Sequence, residues 1–324
     1  MTSGRRGGAW RRAAVIGLQV AALGAGLWFL VDTARDNWPA LQGAHFQPVW
    51  PPLLLASLLT AAAYVAQVRV WVHSLTWWHQ RLPYFAALRI WFVSNLARFI
   101  PGIVWQFAGV AAMVREHRVS PVAAAAGIVL QQLVLTSTGV VLTAAVAPAM
   151  LGPWAGALPP GASATLAVAG LALVIAVVPR LLRLGGRLLE RMAGVGGDWP
   201  LPSPRAFGLY VLGLGLTWPV YGLSFWLFAR AVLPAAEPLD LPLAATAFVA
   251  SYVVGLLAVF APAGLVVREA ALVAILSPSV GGGPAFALAV GSRLWLVALE
   301  LLTAAGVLIV HRLRSTHPPS PGAP

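Results

Sequence analysis

Long apolar runs separated by short polar segments set out the whole chain. One helix needs roughly 20 apolar residues to cross a hydrocarbon core. Runs of that kind are Ala13–Val31, Pro51–Val72, Pro121–Ala147, Thr165–Val178 with a start a few residues earlier, Phe207–Ala229 and Pro284–Val310. Each predicts a membrane helix. Pro51-Pro52 suits a helix start, where missing N–H groups cost little, and Pro219 predicts a kink. Two further stretches, Tyr84–Val114 and Ala244–Ser277, are too long for one span and too short for two. Each is broken near its middle, at Pro101-Gly102 and at Pro262-Ala263-Gly264. A re-entrant hairpin that dips in, breaks and returns fits such a length; the alternative is one long kinked span, which would reverse the orientation of everything downstream. With hairpins, the expected fold class is an all-α polytopic membrane protein. It would have about six full transmembrane helices plus two re-entrant broken-helix hairpins, arranged as an inverted repeat.

Composition narrows the class further. Of 324 residues, 60% are hydrophobic and 9% charged, against roughly 25% charged in a soluble domain. Such a chain could not cover its surface in water. The net charge of +12 would suggest nucleic acid if it lay on one soluble face. Here the basic residues, all arginine, sit mainly in short segments between apolar runs, as cytoplasmic loops of membrane proteins do. Arg5, Arg6, Arg11 and Arg12 precede the first run, Arg81 precedes the first hairpin and Arg115 and Arg118 follow it. Arg180, Arg183, Arg187, Arg191 and Arg205 mark the longest polar segment, and Arg312 and Arg314 follow the last run. The segments expected outside carry only Arg35 and Arg230. The expected layout is therefore a multi-pass protein of the cell membrane with both termini cytoplasmic. Residues 1–12 are its basic N-terminus, 13–310 its transmembrane domain with breaks at 96–106 and 257–269, and 311–324 its Pro-rich tail. A signal peptide would have a shorter apolar core than Ala13–Val31. With no cysteine, disulfides, thiolate nucleophiles and Cys metal sites are excluded.

The two breaks resemble one another. Leu96-Ala-Arg-Phe-Ile-Pro101 and Leu257-Ala-Val-Phe-Ala-Pro262 match at Leu, Ala, Phe and Pro. On the expected layout the first hairpin enters from the cytoplasm and the second from outside, an inverted pair of broken helices of the kind transporters use near the midplane. The half-helix N-termini after Pro101 and Pro262 would offer unpaired N–H groups to an anion such as phosphate. Five charges fall deep in apolar stretches: Arg98, Arg268, Glu269, Arg293 and Glu300. Arg293 and Glu300 lie two helical turns apart, about 10 Å along the axis, so each is expected to seek a partner elsewhere. Glu269 with Arg293 and Arg268 with Glu300 are the expected pairs. Two roles stay open for the ion-pair set of Glu269, Arg293 and Glu300, a gating element or a structural lock between hairpin and helix. For Arg98 and Arg268 a headgroup phosphate is the expected partner, because guanidinium matches phosphate oxygens, with Gln106 beside them. Gln131 and Gln132 are expected to be interhelical hydrogen-bond glue. Trp77 and Trp78 are expected at the headgroup level. No two histidines have metal-ligand spacing on a helix, and no GxSxG, GxxxxGK[ST] or HExxH motif is present. No metal or cofactor is expected.

Asn95-Leu-Ala-Arg-Phe-Ile-Pro-Gly102, with Arg115 at the hairpin exit, resembles the first signature of the lysylphosphatidylglycerol synthase transmembrane (flippase-like) family. Pro262-Ala-Gly-Leu-Val-Val-Arg-Glu-Ala-Ala-Leu272 is similar to its second, and Arg293 to the arginine that follows. The resemblance covers about residues 10–312. It implies a lipid-handling membrane module, in some members a flippase for aminoacylated phospholipid. Two departures matter. Members often carry a Gly-Glu pair after the first proline, where Val104-Trp105-Gln106 stands here, so the first hairpin lacks its carboxylate. The soluble aminoacyl-transferring domain of the bifunctional members is also missing from this sequence, so no lysyl-lipid synthesis is expected.

Three functions follow as alternatives. The first is a non-enzymatic flippase or transporter for an anionic phospholipid or lipid-linked phosphate headgroup. The second is a membrane glycosyltransferase using polyprenyl-phosphate sugars, for which Asp32 and Asp36 are the early acidic candidates. The third is a non-transporting scaffold for a lipid- or glycan-modifying enzyme. Membrane lipids are the expected partners, and nucleic acid is not.

Overall fold

A computed structural model of the chain describes residues 28, 31–32, 35, 48–96, 104–150, 162–193, 200–233, 239–258, 264 and 266–316. These form helices and no strand. In chain order they are α1 (Trp50–Thr76), α2 (Tyr84–Leu96), α3 (Val104–Arg115), α4 (Pro121–Met150), α5 (Ala162–Ala193), α6 (Pro204–Gly215), α7 (Thr217–Val232), α8 (Leu241–Leu257), α9 (Val267–Val280) and α10 (Gly282–Thr316). Among the described residues, five segments are long and apolar enough to cross a membrane: Trp50–Thr76, Pro121–Val146, Ala164–Gly185, Pro204–Val232 and Gly282–Leu313. The chain is a multi-pass membrane protein. Of the expected first span, 13–31, only Trp28 and Val31 are described, both helical.

Proline and serine set most of the helix starts. Pro51 and Pro52 lie in the first turn of α1, Pro121 opens α4 and Pro204 opens α6. There the missing N–H is one that no helix carbonyl would have received. Ser120 and Ser203 cap α4 and α6: their Oγ atoms accept from the N–H of Ala123 at 3.4 Å and of Ala206 at 3.3 Å. The kink expected from Pro219 is a break between α6 and α7 at Leu216. Pro219 lacks the N–H that would reach the Gly215 carbonyl, so the helix gives way one residue beyond it. α1 and α3 end alike. His79 and Arg118 take φ of 58° and 57°, and the N–H groups of Gln80 and Val119 reach back to the carbonyls of Leu75 and Val114. Each closes its helix with a left-handed cap.

One departure from the expected layout has a clear cause. α5 does not stop near Val178 but runs through Pro179 to Ala193, carrying Arg180, Arg183, Arg187 and Arg191 on helix rather than loop. Leu, Arg and Glu dominate its last turns, and all are good helix formers. Trp78 is 8% exposed, hence buried, and Trp77 packs its ring on Tyr210 at 5.1 Å and on Phe207 at 6.4 Å. These rings close the end of a helix packing just beyond the last turn of α1.

The chain divides into two compact units. In the unit formed by Ser57–Ala145, Leu158–Val220 and Trp295–Pro324, large rings are held by buried polar contacts. Trp71 Nε1 donates to the Ala124 carbonyl at 3.3 Å, and Trp218 Nε1 lies 3.2 Å from both the Leu135 carbonyl and Thr138 Oγ1. Gln67 donates to Thr217 at 3.4 Å. Glycines let these helices close up: a Cβ on Gly127 would stand 3.0 Å from Trp71, and one on Gly170 would stand 2.6 Å from Val141. The glutamines expected as glue are not. Gln132 is exposed and bonds Thr136 of its own helix, and the Oε1 of buried Gln131 has no hydrogen-bond partner among the described residues. Adjacent helix positions point about 100° apart, so the two amides cannot both face one neighbour. α2 and α3, of 13 and 12 residues, pack on each other in this unit. At 1.5 Å per residue each is about 20 Å long, short of a full span.

The other unit comprises Tyr221–Leu294 with Met1–Ala56 and Val146–Ala157. Its core is Phe225, Phe228, Phe248, Leu272, Leu276 and Leu288. α8 and α9 pack on each other here, again as two short helices, of 17 and 14 residues. A Cβ on Gly222 of α7 would come within 2.5 Å of Ala245 of α8, so those helices meet backbone to side-chain stub.

Candidate functional site

The junction of α8 and α9 gathers the unusual chemistry of the second unit. α8 ends at Leu257 and α9 starts at Val267, after Gly264 in a left-handed turn with φ of 63°. A Cβ on Gly264 would lie 2.7 Å from the Gly255 carbonyl oxygen. A Cβ on Gly255 would lie 2.9 Å from the Cβ of Arg268. The returning chain therefore rests directly on the α8 backbone, which only two glycines permit. Val266, the residue before α9, has φ of 72° and ψ of −43°. A β-branched residue in this γ-turn region is strained by about 1–3 kcal/mol.

Two groups offset that strain. Glu269, three residues on, folds back so that its Oε2 accepts the Val266 N–H at 2.7 Å. A carboxylate in the first turn also meets the positive end of the helix dipole. Its other oxygen, Oε1, is buried without a hydrogen bond and lies 3.7 Å from Nε of Arg293 on α10. That ion pair is the one expected from the sequence, and it is loose rather than hydrogen-bonded. Glu269 is thus held through one oxygen and attracted through the other.

Arg268 points to a different wall. Its guanidinium carbon is 4.9 Å from the centre of the Phe248 ring and 5.2 Å from that of Tyr252. Phe248 and Tyr252 are four residues apart on α8, so they share a face. Phe248 is packed in turn against Phe225 at 5.2 Å and Tyr221 at 6.4 Å. Arg268 and Glu269 are each 6% exposed. A buried cation over two ring faces is attracted by their quadrupoles, an attraction that grows as water is removed.

The remaining expected site residues are distributed as follows. Glu300 belongs to the first-described unit, where the Tyr64 hydroxyl donates to its Oε1 at 3.3 Å. Arg98, Pro101, Gly102 and Pro262 lie outside the described residues, and of Gln106 only the backbone, helical within α3, is described. Asp32 is exposed and Asp36 lies outside the described residues. Among the described residues no three His, Asp or Glu side chains converge as a metal site would require.

Sequence reasoning singled out Arg268, Glu269 and Arg293 but missed Gly255, Val266, Phe248 and Tyr252. Gly255, two residues before the end of α8 and seven before the break at Pro262, was a readable signal of close backbone approach. The strain at Val266 had no signal, since valine favours extended or helical backbone. No model of a known protein family matches the chain, and no curated protein matches it.

Proposed function

We propose that the chain is a lipid flippase or transporter that moves an anionic phospholipid, or another lipid-linked phosphate headgroup, across the cell membrane without chemical change. The observation that carries this reading is the buried Arg268–Glu269 pair at the strained start of α9, in a chain this apolar. Ionised side chains inside a membrane protein are expensive and mark pathways for ions and polar substrates. A well-packed apolar pair would stabilise the same helix contact at least as well.

The site's logic is exchange of anions. Glu269 presents one oxygen to the Val266 N–H and a second towards Arg293, the two contacts a phosphate oxygen pair would make. A headgroup phosphate arriving at the α9 N-terminus competes with the Glu269 carboxylate for those donors. Arg268 leaves its aromatic wall to take the charge. Release of the phosphate lets Glu269 fall back, which resets the site. In this reading α2–α3 and α8–α9 are the two re-entrant hairpins of an inverted repeat, and both termini are cytoplasmic. Arg98 and Gln106 serve the first hairpin as Arg268 serves the second. The resemblance of both breaks to the flippase-like signatures supports it.

A second reading, a non-transporting scaffold, is favoured by one feature: Glu269 and Arg268 both have partners within the chain. Translocation of phosphatidylglycerol with a fluorescent headgroup, in liposomes holding the purified protein, separates the two. Transport should be present in the parent protein and fall roughly tenfold in Arg268→Ala and in Glu269→Gln, as loss of a charged hydrogen bond predicts. Unchanged rates in both variants would discard the site assignment. No translocation of any anionic lipid by the parent protein would leave the scaffold.

A further inference from the structure

We infer that the C-terminal part of α5 is a docking surface for anionic lipid headgroups, separate from the α8–α9 site. α5 has 32 residues and is about 48 Å long at 1.5 Å per residue, well beyond the roughly 30 Å of hydrocarbon. Its apolar segment is also little covered, with 11% of its spanning window buried, as in α10. Pro179 marks the change of character: N-terminal to it the helix is apolar, and C-terminal to it arginine and leucine alternate by face. Positions 180, 183, 187 and 191 fall within about 80° around the axis, at 100° per residue. Arg180 and Arg183 are exposed, as are Leu181 and Leu184 beside them, 49% and 62% open.

The chemistry of the occupant follows from that pattern. Arg180 donates from Nη1 to the Ala176 carbonyl at 2.6 Å, one turn back towards the apolar segment. Residues 164–179 carry no charge and Arg180 is the first after them, which places it near the boundary between hydrocarbon and headgroup. Arg187 and Arg191 continue the row along the sequence at one-turn spacing, and Glu190, three residues after Arg187, borders it. Where such a helix leaves the hydrocarbon, its arginines attract anionic lipid headgroups. Guanidinium groups bind phosphate through paired hydrogen bonds, which a zwitterionic headgroup weakens by its own ammonium. The surface thus selects net-negative headgroups.

The chain has no cysteine, so a single one can be introduced and labelled without background. The full-length protein carrying Leu184→Cys with a fluorophore would be placed in bilayers of phosphatidylcholine with 20% spin-labelled phosphatidylglycerol or 20% spin-labelled phosphatidylcholine. Quenching should be stronger with the anionic quencher, and the preference should vanish at high salt. Adding Arg180→Gln and Arg183→Gln should lower the anionic preference roughly fivefold per charge removed, whereas Arg180→Lys with Arg183→Lys should keep it. Equal quenching by both lipids would overturn the inference. So would a probe that neither lipid reaches, because the face would then be covered by protein. None of these readings depends on whether lipid is translocated.

Discussion

The two units use the same residue types for ion pairs and obtain different things from them. In one, Glu269 and Arg293 meet at 3.7 Å with side chains 7% and 17% exposed, and Glu269 also holds the first turn of α9. In the other, Arg89 on α2 lies 3.9 Å from Glu116 and 3.2 Å from Nε2 of His311, with the Arg89 and Glu116 side chains 31% and 59% exposed. Water screens the second pair and competes for every donor it has, so little free energy rides on it. Removing a partner from the first leaves charge where water does not reach. Position, more than charge, decides which cluster is expensive, and an expensive cluster in an apolar chain is where function is to be sought.

The strongest way to break the comparison is to remove the backbone that buries the first cluster. Gly264→Ala places a Cβ 2.7 Å from the Gly255 carbonyl at φ of 63°. Left-handed backbone costs alanine about 1–2 kcal/mol and the clash adds to it, for about 2–4 kcal/mol in all. Thermal unfolding in detergent, followed by the intrinsic fluorescence of the chain's 14 tryptophans, should show the largest loss of this series. An unchanged midpoint would mean that α9 does not start against α8.

Glu269 itself comes next. Glu269→Ala leaves the buried Val266 N–H without its acceptor and Arg293 without its partner, at a cost of about 3 kcal/mol. Glu269→Gln should recover part of it, about 1–2 kcal/mol, because an amide oxygen can still accept from the Val266 N–H. Equal loss in the two variants would show that the charge, and not the cap, is what matters there.

How much of this was legible beforehand depends on distance along the chain. The spanning helices follow from apolar length and from proline, both local, so α1, α4 and the α6–α7 break stand close to where the residues put them. The 269–293 pair was readable because only a few charges occur in apolar runs and each must be matched. The aromatic wall behind Arg268 was not. Phe248 and Tyr252 look like any two apolar ring positions, and only the fold of α8 on α9 brings a guanidinium to them. The extension of α5 past Pro179 was misread for the opposite reason. Four arginines in fourteen residues suggest a loop between spans, but an amphipathic helix at an interface has the same composition.

A sharper form of the comparison removes the cation instead of the anion. The Arg293 side chain touches Glu269 without a hydrogen bond, and with Arg293 gone the buried Glu269 carboxylate still keeps the Val266 N–H on its other oxygen. Arg293→Gln should cost about 1 kcal/mol, less than Glu269→Ala. If it costs as much, the ion pair is stronger than its 3.7 Å separation implies.

The smallest effect belongs to the exposed cluster. Glu116→Gln removes a carboxylate whose side chain is 59% open to solvent and 3.9 Å from Arg89. His311 stays within hydrogen-bond reach of the same guanidinium, so Arg89 keeps a neighbour when the charge is gone. The change should stay within about 0.5 kcal/mol, and what remains should fade as salt is raised. A loss above about 1 kcal/mol that resists salt would place Glu116 among the buried pairs in energy if not in exposure. The contrast between the two units would then rest on something other than access to water.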